Sequence, residues 1–160
     1  MAAVDFAVDT MLGRLARWLR ILGHDVAYGP HLHGRGLVAC ARRERRMIVT
    51  RDTRLVRDPE LPPHVFVTSD HFREQLREVA AAVPLVADAA FSRCVECNRP
   101  LADVARDAVR ERVPPYVYET QTRFWTCPAC HRVYWPATHH ARMREELAAL
   151  GLGTAPEVSA

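Results

Sequence analysis

Two sets of side chains in this sequence could do chemistry, and the first is sulfur. Cys94-Val95-Glu96-Cys97 and Cys127-Pro128-Ala129-Cys130 are two C-x2-C pairs separated by 29 residues. Each spacing makes a tight turn that presents two thiolates, and two such turns complete a tetrahedral zinc site. A closed four-thiolate site has no open position, so its role would be folding rather than catalysis. Two other readings use the same residues. Cys127 to His131 spells the C-x-x-C-H string that attaches haem c, which leaves Cys94 and Cys97 without a role. Redox disulfides are the other, and a reducing compartment disfavours them. Cys40 lies in an apolar helical stretch and reads as a buried small residue.

The second set is carboxylate. Asp9, Asp52 and Asp70 each stand just past the end of a predicted strand. In a parallel α/β sheet those ends converge on one edge, where ligands bind. Three carboxylates without Cys or His partners suit Mg²⁺ or Mn²⁺. Such ions activate water and stabilise the leaving oxygen in phosphodiester cleavage. Arg14, Arg17, Arg20 and Arg51 are the candidates for holding phosphates. Each residue also has a plainer reading. Asp9 and Asp70 could simply cap the helices that follow them. The arginines of residues 11–22 could be the solvated face of an amphipathic helix. Asp25 and Asp58 read as turn residues.

Charge distribution sharpens the arginine reading. The 160 residues carry a formal net charge of +3, and every one of the 22 basic residues is Arg. Residues 1–57 hold 11 Arg against 5 acids, residues 58–88 hold 2 against 6, and residues 89–160 hold 9 against 8. The positive field therefore sits in the first third, where a polyanion could dock. With 49% hydrophobic and 26% charged residues, a wholly disordered chain is excluded. No apolar run approaches the length of a membrane span, and charges at Asp5, Asp9, Arg14, Arg17 and Arg20 interrupt any signal-peptide core. The expectation is a cytoplasmic protein.

The elements that must position these groups can be read from periodicity. Residues 4–8 predict a strand. Over 11–22 the period becomes helical, with Met11, Leu12, Leu15, Ala16, Trp18, Leu19 and Leu22 on one arc and Arg14, Arg17 and Arg20 on the other. Ile21 is the exception, and Gly23 is placed to stop the helix. Strands are predicted at 24–28, 47–50 and 64–68, and helices at 35–46 and 71–82. This β-α-β-α-β-α alternation argues for a parallel sheet covered by helices. After residue 88 the alternation ends. Cysteine pairs, Pro114-Pro115 and β-prone aromatic stretches at Tyr116–Tyr118, Phe124–Trp125 and Val133–Trp135 replace it. Thr138 can cap a last helix with apolar Met143, Leu147 and Leu150, stopped by Gly151. The expected division is a nuclease-like domain over 1–88, a four-cysteine module with a terminal helix over 89–150, and a flexible tail over 151–160.

Four segments, taken together, resemble one family. They are Phe6-Ala-Val-Asp9 through Asp25-Val26, Ile48-Val-Thr-Arg51-Asp52, Ser92-Arg-Cys94-Val-Glu-Cys97-Asn98, and Cys127-Pro-Ala-Cys130 through Tyr134-Trp135 and His139. In this order they are similar to the PIN-like RNase domain named after the C-terminal region of the Mut-seven exoribonuclease, over residues 4–147. The resemblance implies a three-layer α/β/α fold with a parallel sheet, a C-terminal zinc ribbon, and metal-dependent RNase activity. It places Asp9, Asp52 and Asp70 at the acidic positions. The sequence departs from the pattern in two places. His31-Leu-His33-Gly34-Arg35-Gly36 has no carboxylate where PIN-like relatives often carry another acid, and Ala137 stands where a glycine is expected.

The expected function is thus an endonucleolytic ribonuclease. Asp9, Asp52 and Asp70 would hold Mg²⁺ or Mn²⁺, Arg14, Arg17 and Arg51 would position phosphates, and Cys94, Cys97, Cys127 and Cys130 would hold structural zinc. Trp125, Tyr134 and Trp135 either stack on unpaired bases or form the small module's own core. The incomplete acidic set and the arginine face support a rival, a non-catalytic RNA-binding or ribonucleoprotein adaptor. A third class is a protein-interaction module whose zinc ribbon binds a partner. PIN-type domains can pair, so a homodimer is also an expectation.

Overall fold

The computed structural model describes residues 3–85, 89–136 and 138–152, with the side chains of 138 and 139 left aside. The expected domain boundary at residue 88, Ala137 and most of the expected tail lie outside the described residues. Four strands form the first sheet: β1 Phe6–Val8, β2 Val26–Ala27, β3 Met47–Thr50 and β4 His64–Phe66. Their order is β2-β1-β3-β4, and every pairing is parallel. Parallel neighbours need crossover connections. α1 Gly13–Ile21 joins β1 to β2 and α2 Gly34–Glu44 joins β2 to β3. β3 instead reaches β4 through a loop with one 3₁₀ turn, and α3 Phe72–Ala82 follows β4. The expected alternation is present.

The two faces of this sheet bury different helices, because successive strand residues point to opposite sides. Phe6, Val8, Val26, Val49 and Val65 pack with Leu15, Leu19, Leu76 and Val79 of α1 and α3. Ala7 and Ile48 face the other way, onto Leu37, Cys40 and Ala41 of α2. The result is a three-layer α/β/α arrangement. Cys40 is buried there, as its surroundings predict.

α1 stops where its glycine predicts. Gly23 has φ +98°, the His24 N–H reaches the Leu19 carbonyl (3.1 Å), and the Gly23 N–H reaches that of Arg20 (2.9 Å). This is a Schellman stop, which a side chain at Gly23 would strain. Ile21, off the apolar arc, is nonetheless buried. Its carbonyl accepts from the Phe91 N–H (2.7 Å), so the later part of the chain covers it.

A second, antiparallel sheet follows: β5 Ala102–Val104, β6 Phe124–Thr126 and β7 Val133–Tyr134, in the order β5-β6-β7. Val109, Val113 and Phe124 form its small core, with Trp135 packed alongside. The expected β-prone stretch Tyr116–Tyr118 is instead helical, within α4 Pro115–Thr120. Pro115 occupies the first turn, where its fixed φ and missing N–H favour a helix start and outweigh the aromatic strand propensity. The last helix, α5 Thr138–Ala149, sends Leu147 into the core beneath the parallel sheet. It ends as α1 does, with Gly151 at φ +76° and the Leu152 N–H on the Leu147 carbonyl (2.8 Å). The core therefore crosses from the first part of the chain to the last helix. No helix among the described residues is long and apolar enough to cross a membrane.

Candidate active site and candidate metal centre

β1 and β3 are neighbours, and their C-terminal ends carry the first two acids. Asp9 follows β1 directly and is 1% exposed. It precedes a 3₁₀ turn, Thr10–Leu12, and its Oδ1 lies 3.5 Å from the Met11 N–H. The capping reading of Asp9 is thus present but weak at that distance. Its other oxygen makes the stronger contact: the Thr50 hydroxyl donates to Oδ2 at 2.7 Å. Thr50 is itself fully buried, and its hydroxyl oxygen accepts from the Asp52 N–H at 3.0 Å. One threonine at the end of β3 therefore joins the first acid to the backbone of the second. The sequence signal was visible, a polar residue closing an apolar strand, but its partner was not.

Asp52 turns the chain after β3. Its Oδ1 accepts from the N–H groups of Arg54 (2.9 Å) and Leu55 (3.3 Å), bracing the 3₁₀ turn Leu55–Arg57. Asp70 is placed differently. The residue capping α3 is His71, without a side-chain cap, so the expected cap role of Asp70 is corrected. Ser69 supplies the local bond instead, its Oγ accepting from the His71 N–H at 3.0 Å. Asp70 is exposed beside a cavity of about 220 Å³ that also touches Met11, Arg14 and Phe72. Among the described residues, Asp9, Asp52 and Asp70 do not bring their carboxylate oxygens together within 4.8 Å; the one cluster that does so is sulfur.

Glu78 of α3 is an acid that sequence reasoning missed. It accepts from the Thr68 N–H (2.6 Å), the Thr68 hydroxyl (2.7 Å) and the Ser69 N–H (3.2 Å). Burial would raise its pKa, but these bonds and the nearby Arg51 charge outweigh it and hold Glu78 below the ordinary carboxylate range. Glu78 thereby braces the loop between β4 and Asp70, and Arg51 reaches the same loop through the Thr68 carbonyl (3.2 Å). Helix spacing alone gives no sign of this contact.

The arginines divide. Arg14 and Arg17 lie on the exposed arc of α1, Arg14 over the Phe72 ring (4.0 Å) and Arg17 against Glu96 (3.1 Å). Arg20, expected on that arc, is 6% exposed, which corrects its place. Its guanidinium donates to the carbonyls of Val26, Val95 and Glu96. Burial lowers its pKa, against the raising pull of Cys94 and Glu96. A long side chain within a two-element interface is buried when a later segment covers it, and here that segment is the first cysteine turn. Asn98 adds to the seam, accepting from the Val26 N–H (2.9 Å) and donating to Asp25 (2.7 Å). Asp25 also pairs with Arg46 at 2.8 Å. Burial pushes Asp25 up, but hydrogen bonds from Arg46 and Asn98 prevail and leave it below its usual value. Asp58 is a turn residue, as expected, accepting from the Glu60 N–H (2.9 Å).

The four cysteine sulfurs all lie within 4.8 Å of one another. Two matching turns build the cluster. The Asn98 N–H bonds the Cys94 carbonyl and the Cys94 N–H the Arg99 carbonyl (both 2.9 Å), while the His131 N–H bonds the Cys127 carbonyl (2.9 Å) and the Cys127 N–H that of Arg132 (3.0 Å). Asn98 and His131 both have positive φ, 65° and 63°. In each turn a backbone N–H also points at the first sulfur, Cys97 to Cys94 and Ala129 to Cys127, both at 3.4 Å. Cys94 and Cys130 are 3.8 Å apart and unbridged. That is about the edge of a tetrahedron with ~2.3 Å metal–sulfur bonds, so the cluster can coordinate a structural zinc ion. Crowding shifts the thiols: the Cys130 hydrogen bond leads in raising Cys97 to about 12, whereas backbone N–H groups overcome burial and bring Cys127 to about 7. Tyr134 closes the shell, with its hydroxyl 3.1 Å from the Cys94 sulfur. Burial, then the Cys94 contact, raises its pKa and keeps it protonated.

Residues 4–147 match the family model described as the Mut7-C RNAse domain. The chain belongs to this family. No curated protein and no solved structure gives a significant match. Membership supports a PIN-like nuclease function in general, on the parallel sheet described above.

Proposed function

We propose that this member of the Mut7-C family is a metal-dependent ribonuclease that cleaves RNA internally at the C-terminal edge of its parallel sheet. One observation carries the reading. Asp9 is buried there, and among the described residues no cationic side chain pairs with it. A buried carboxylate without a countercharge is costly, and a bound cation relieves that cost. The donor set is oxygen only, which fits Mg²⁺ or Mn²⁺.

Asp9, Asp52 and Asp70 would hold the ion, which would supply water activation and charge neutralisation at the leaving oxygen. Thr50 fixes the Asp9 carboxylate and the Asp52 backbone in one chain of bonds. Glu78 steadies the loop that carries Asp70. Arg14 and Arg51 flank the edge and would grip phosphate oxygens. Arg20 is withdrawn from that set, because it is buried and all three of its guanidinium nitrogens already donate to carbonyls. We also read residues 89–150 as a zinc ribbon with its terminal helix, appended to a nuclease domain over 1–88.

The adaptor reading, RNA binding without turnover, also has an observation in its favour. The three acids are not gathered, and Asp52 is partly occupied as a cap. The deciding experiment is cleavage of a mixed RNA pool by zinc-loaded protein with Mn²⁺, with EDTA, and with Asp52→Asn. Cleavage should require the ion and fall about a hundredfold or more in the variant. An asparagine side chain can still cap the turn, so the variant's melting temperature should stay close to wild type. Binding without cleavage in every lane establishes the adaptor instead.

A further inference from the structure

A cavity of about 280 Å³ lies where α1, the cysteine module and α5 meet. Its walls include Trp18, Phe91 and Trp125, and three arginines line it: Arg14, Arg17 and Arg93. The proposed cleavage mechanism uses none of the aromatics. We propose that this cavity is a binding site for one unpaired nucleotide of a single-stranded RNA, its base against Trp125 and its phosphate on Arg17 and Arg93. This rests on the reading that the chain acts on RNA, and it names the form of RNA bound.

The walls select for a planar ligand. Flat apolar sides favour stacking, and unpaired bases stack on aromatic side chains and on guanidinium planes. Trp125 is half-buried, with the Arg123 guanidinium 5.0 Å from its ring. Trp18 is stacked on the Phe72 ring (5.6 Å). Tyr134 also lines the cavity, but the Cys94 contact uses its hydroxyl, and Trp135 belongs to the small core instead. Of the three aromatics singled out in the sequence, Trp125 is thus the one offered to a ligand.

The arginines select for an anion. Arg93 is fixed by donating to the Gly23 carbonyl (3.0 Å) and the Asn98 carbonyl (2.7 Å). Among the described residues Arg17 is tied only to Glu96, in a pair whose side chains are 56% and 40% exposed. Such an exposed pair is weak, and a phosphate can displace the carboxylate. Size excludes a duplex, whose bases are already stacked inside the helix. Direction comes from Arg14, which lines both this cavity and the smaller one beside Asp70. A strand crossing Arg14 would have one nucleotide in the cavity and a neighbouring phosphodiester toward the acidic edge. An acidic peptide would satisfy the arginines but not the connection to that edge.

The test uses the zinc-loaded 160-residue protein carrying Asp52→Asn, so that cleavage cannot consume the probe. Fluorescence anisotropy follows a labelled ten-nucleotide single-stranded RNA, its duplex, and a set with one abasic site moved along the strand. The single strand should bind better than the duplex. One abasic position should weaken binding about tenfold, and Trp125→Ala should do the same, with Trp125→Phe restoring most of it. Equal binding of single strand and duplex, or no sensitive abasic position, overturns the proposal. The abasic series needs no variant, so it decides the matter even if Trp125→Ala misfolds. Binding of an acidic peptide in place of RNA also overturns it. Trp125-dependent binding by a wild-type chain that never cleaves defeats the ribonuclease reading alone. Cleavage that ignores Trp125 and every abasic site defeats this proposal alone.

Discussion

The cysteine cluster and the acidic edge of this molecule are built in opposite ways. Four sulfurs lie within 4.8 Å of one another, whereas among the described residues the three carboxylates do not gather within that distance. Each cysteine turn is closed by its own backbone bonds across five or six residues, so half of the cluster forms locally. The acids sit on three loops after three strands, and only the β1–β3 pairing with Thr50 between them ties two together. A ligand set made of local turns arrives preassembled. One made of strand ends depends on register and on whatever occupies the edge.

The sharpest way to break that contrast is to remove the metal ligands. Cys94→Ser, or a strong chelator, should unfold the antiparallel sheet, since structural zinc sites contribute on the order of 10 kcal/mol to folding. Zinc content by mass spectrometry and near-ultraviolet circular dichroism check this. Retention of the Trp125 and Trp135 signals without metal would show that the small core stands alone.

A smaller effect is expected at the acidic edge. Thr50→Val keeps the shape of the side chain but deletes the hydroxyl between Asp9 and Asp52. The buried Asp9 then loses its best partner, at a cost of about 1–3 kcal/mol. Denaturant unfolding measures it, and added Mn²⁺ should recover part of the loss if a cation belongs at Asp9.

At the seam between the parallel sheet and the first cysteine turn, Asp25→Asn should cost about 1 kcal/mol by weakening the bond to Arg46. The folded carboxyl lies below its unfolded value, so this contribution is present above about pH 4. It is lost as pH falls through the folded value. The melting-temperature gap between wild type and variant should therefore be largest near neutrality and shrink under acid. The smallest effect belongs to Asp70→Asn. That side chain is exposed, and no hydrogen bond or ion pair among the described residues holds it, so melting should shift by no more than about 2 °C. Loss of cleavage without loss of stability would place Asp70 in the acidic site, and unchanged cleavage would remove it.

Much of this was legible in residue order. The β-α alternation, the glycine stops at Gly23 and Gly151, and the C-x2-C pairs are local patterns, and each is present where periodicity and spacing put it. Local patterns fail when a distant segment intervenes. Arg20 reads as solvated because its helix face is polar, yet the Cys94–Cys97 turn covers it and takes up its donors. Ile21 reads as misplaced until Phe91 folds over it. At Tyr116–Tyr118 the failure was one of competing local rules, with the proline start prevailing over strand propensity.

By itself, then, the order of residues determined the β-α alternation of the parallel sheet, the family and the pairing of the four cysteines. Each depends on neighbours a few positions apart, where the covalent chain dictates the geometry. Only the tertiary structure decided that Thr50 links the carboxylate of Asp9 to the backbone of Asp52, that Asp70 does not cap α3, and that Arg20 is a clamp while Arg17 lines a cavity. The deciding contacts join residues far apart in sequence, 41 positions for Thr50 with Asp9 and 76 for Arg20 with Glu96. No local preference encodes such pairs; packing selects them when the sheet, the cysteine module and the last helix close on one another.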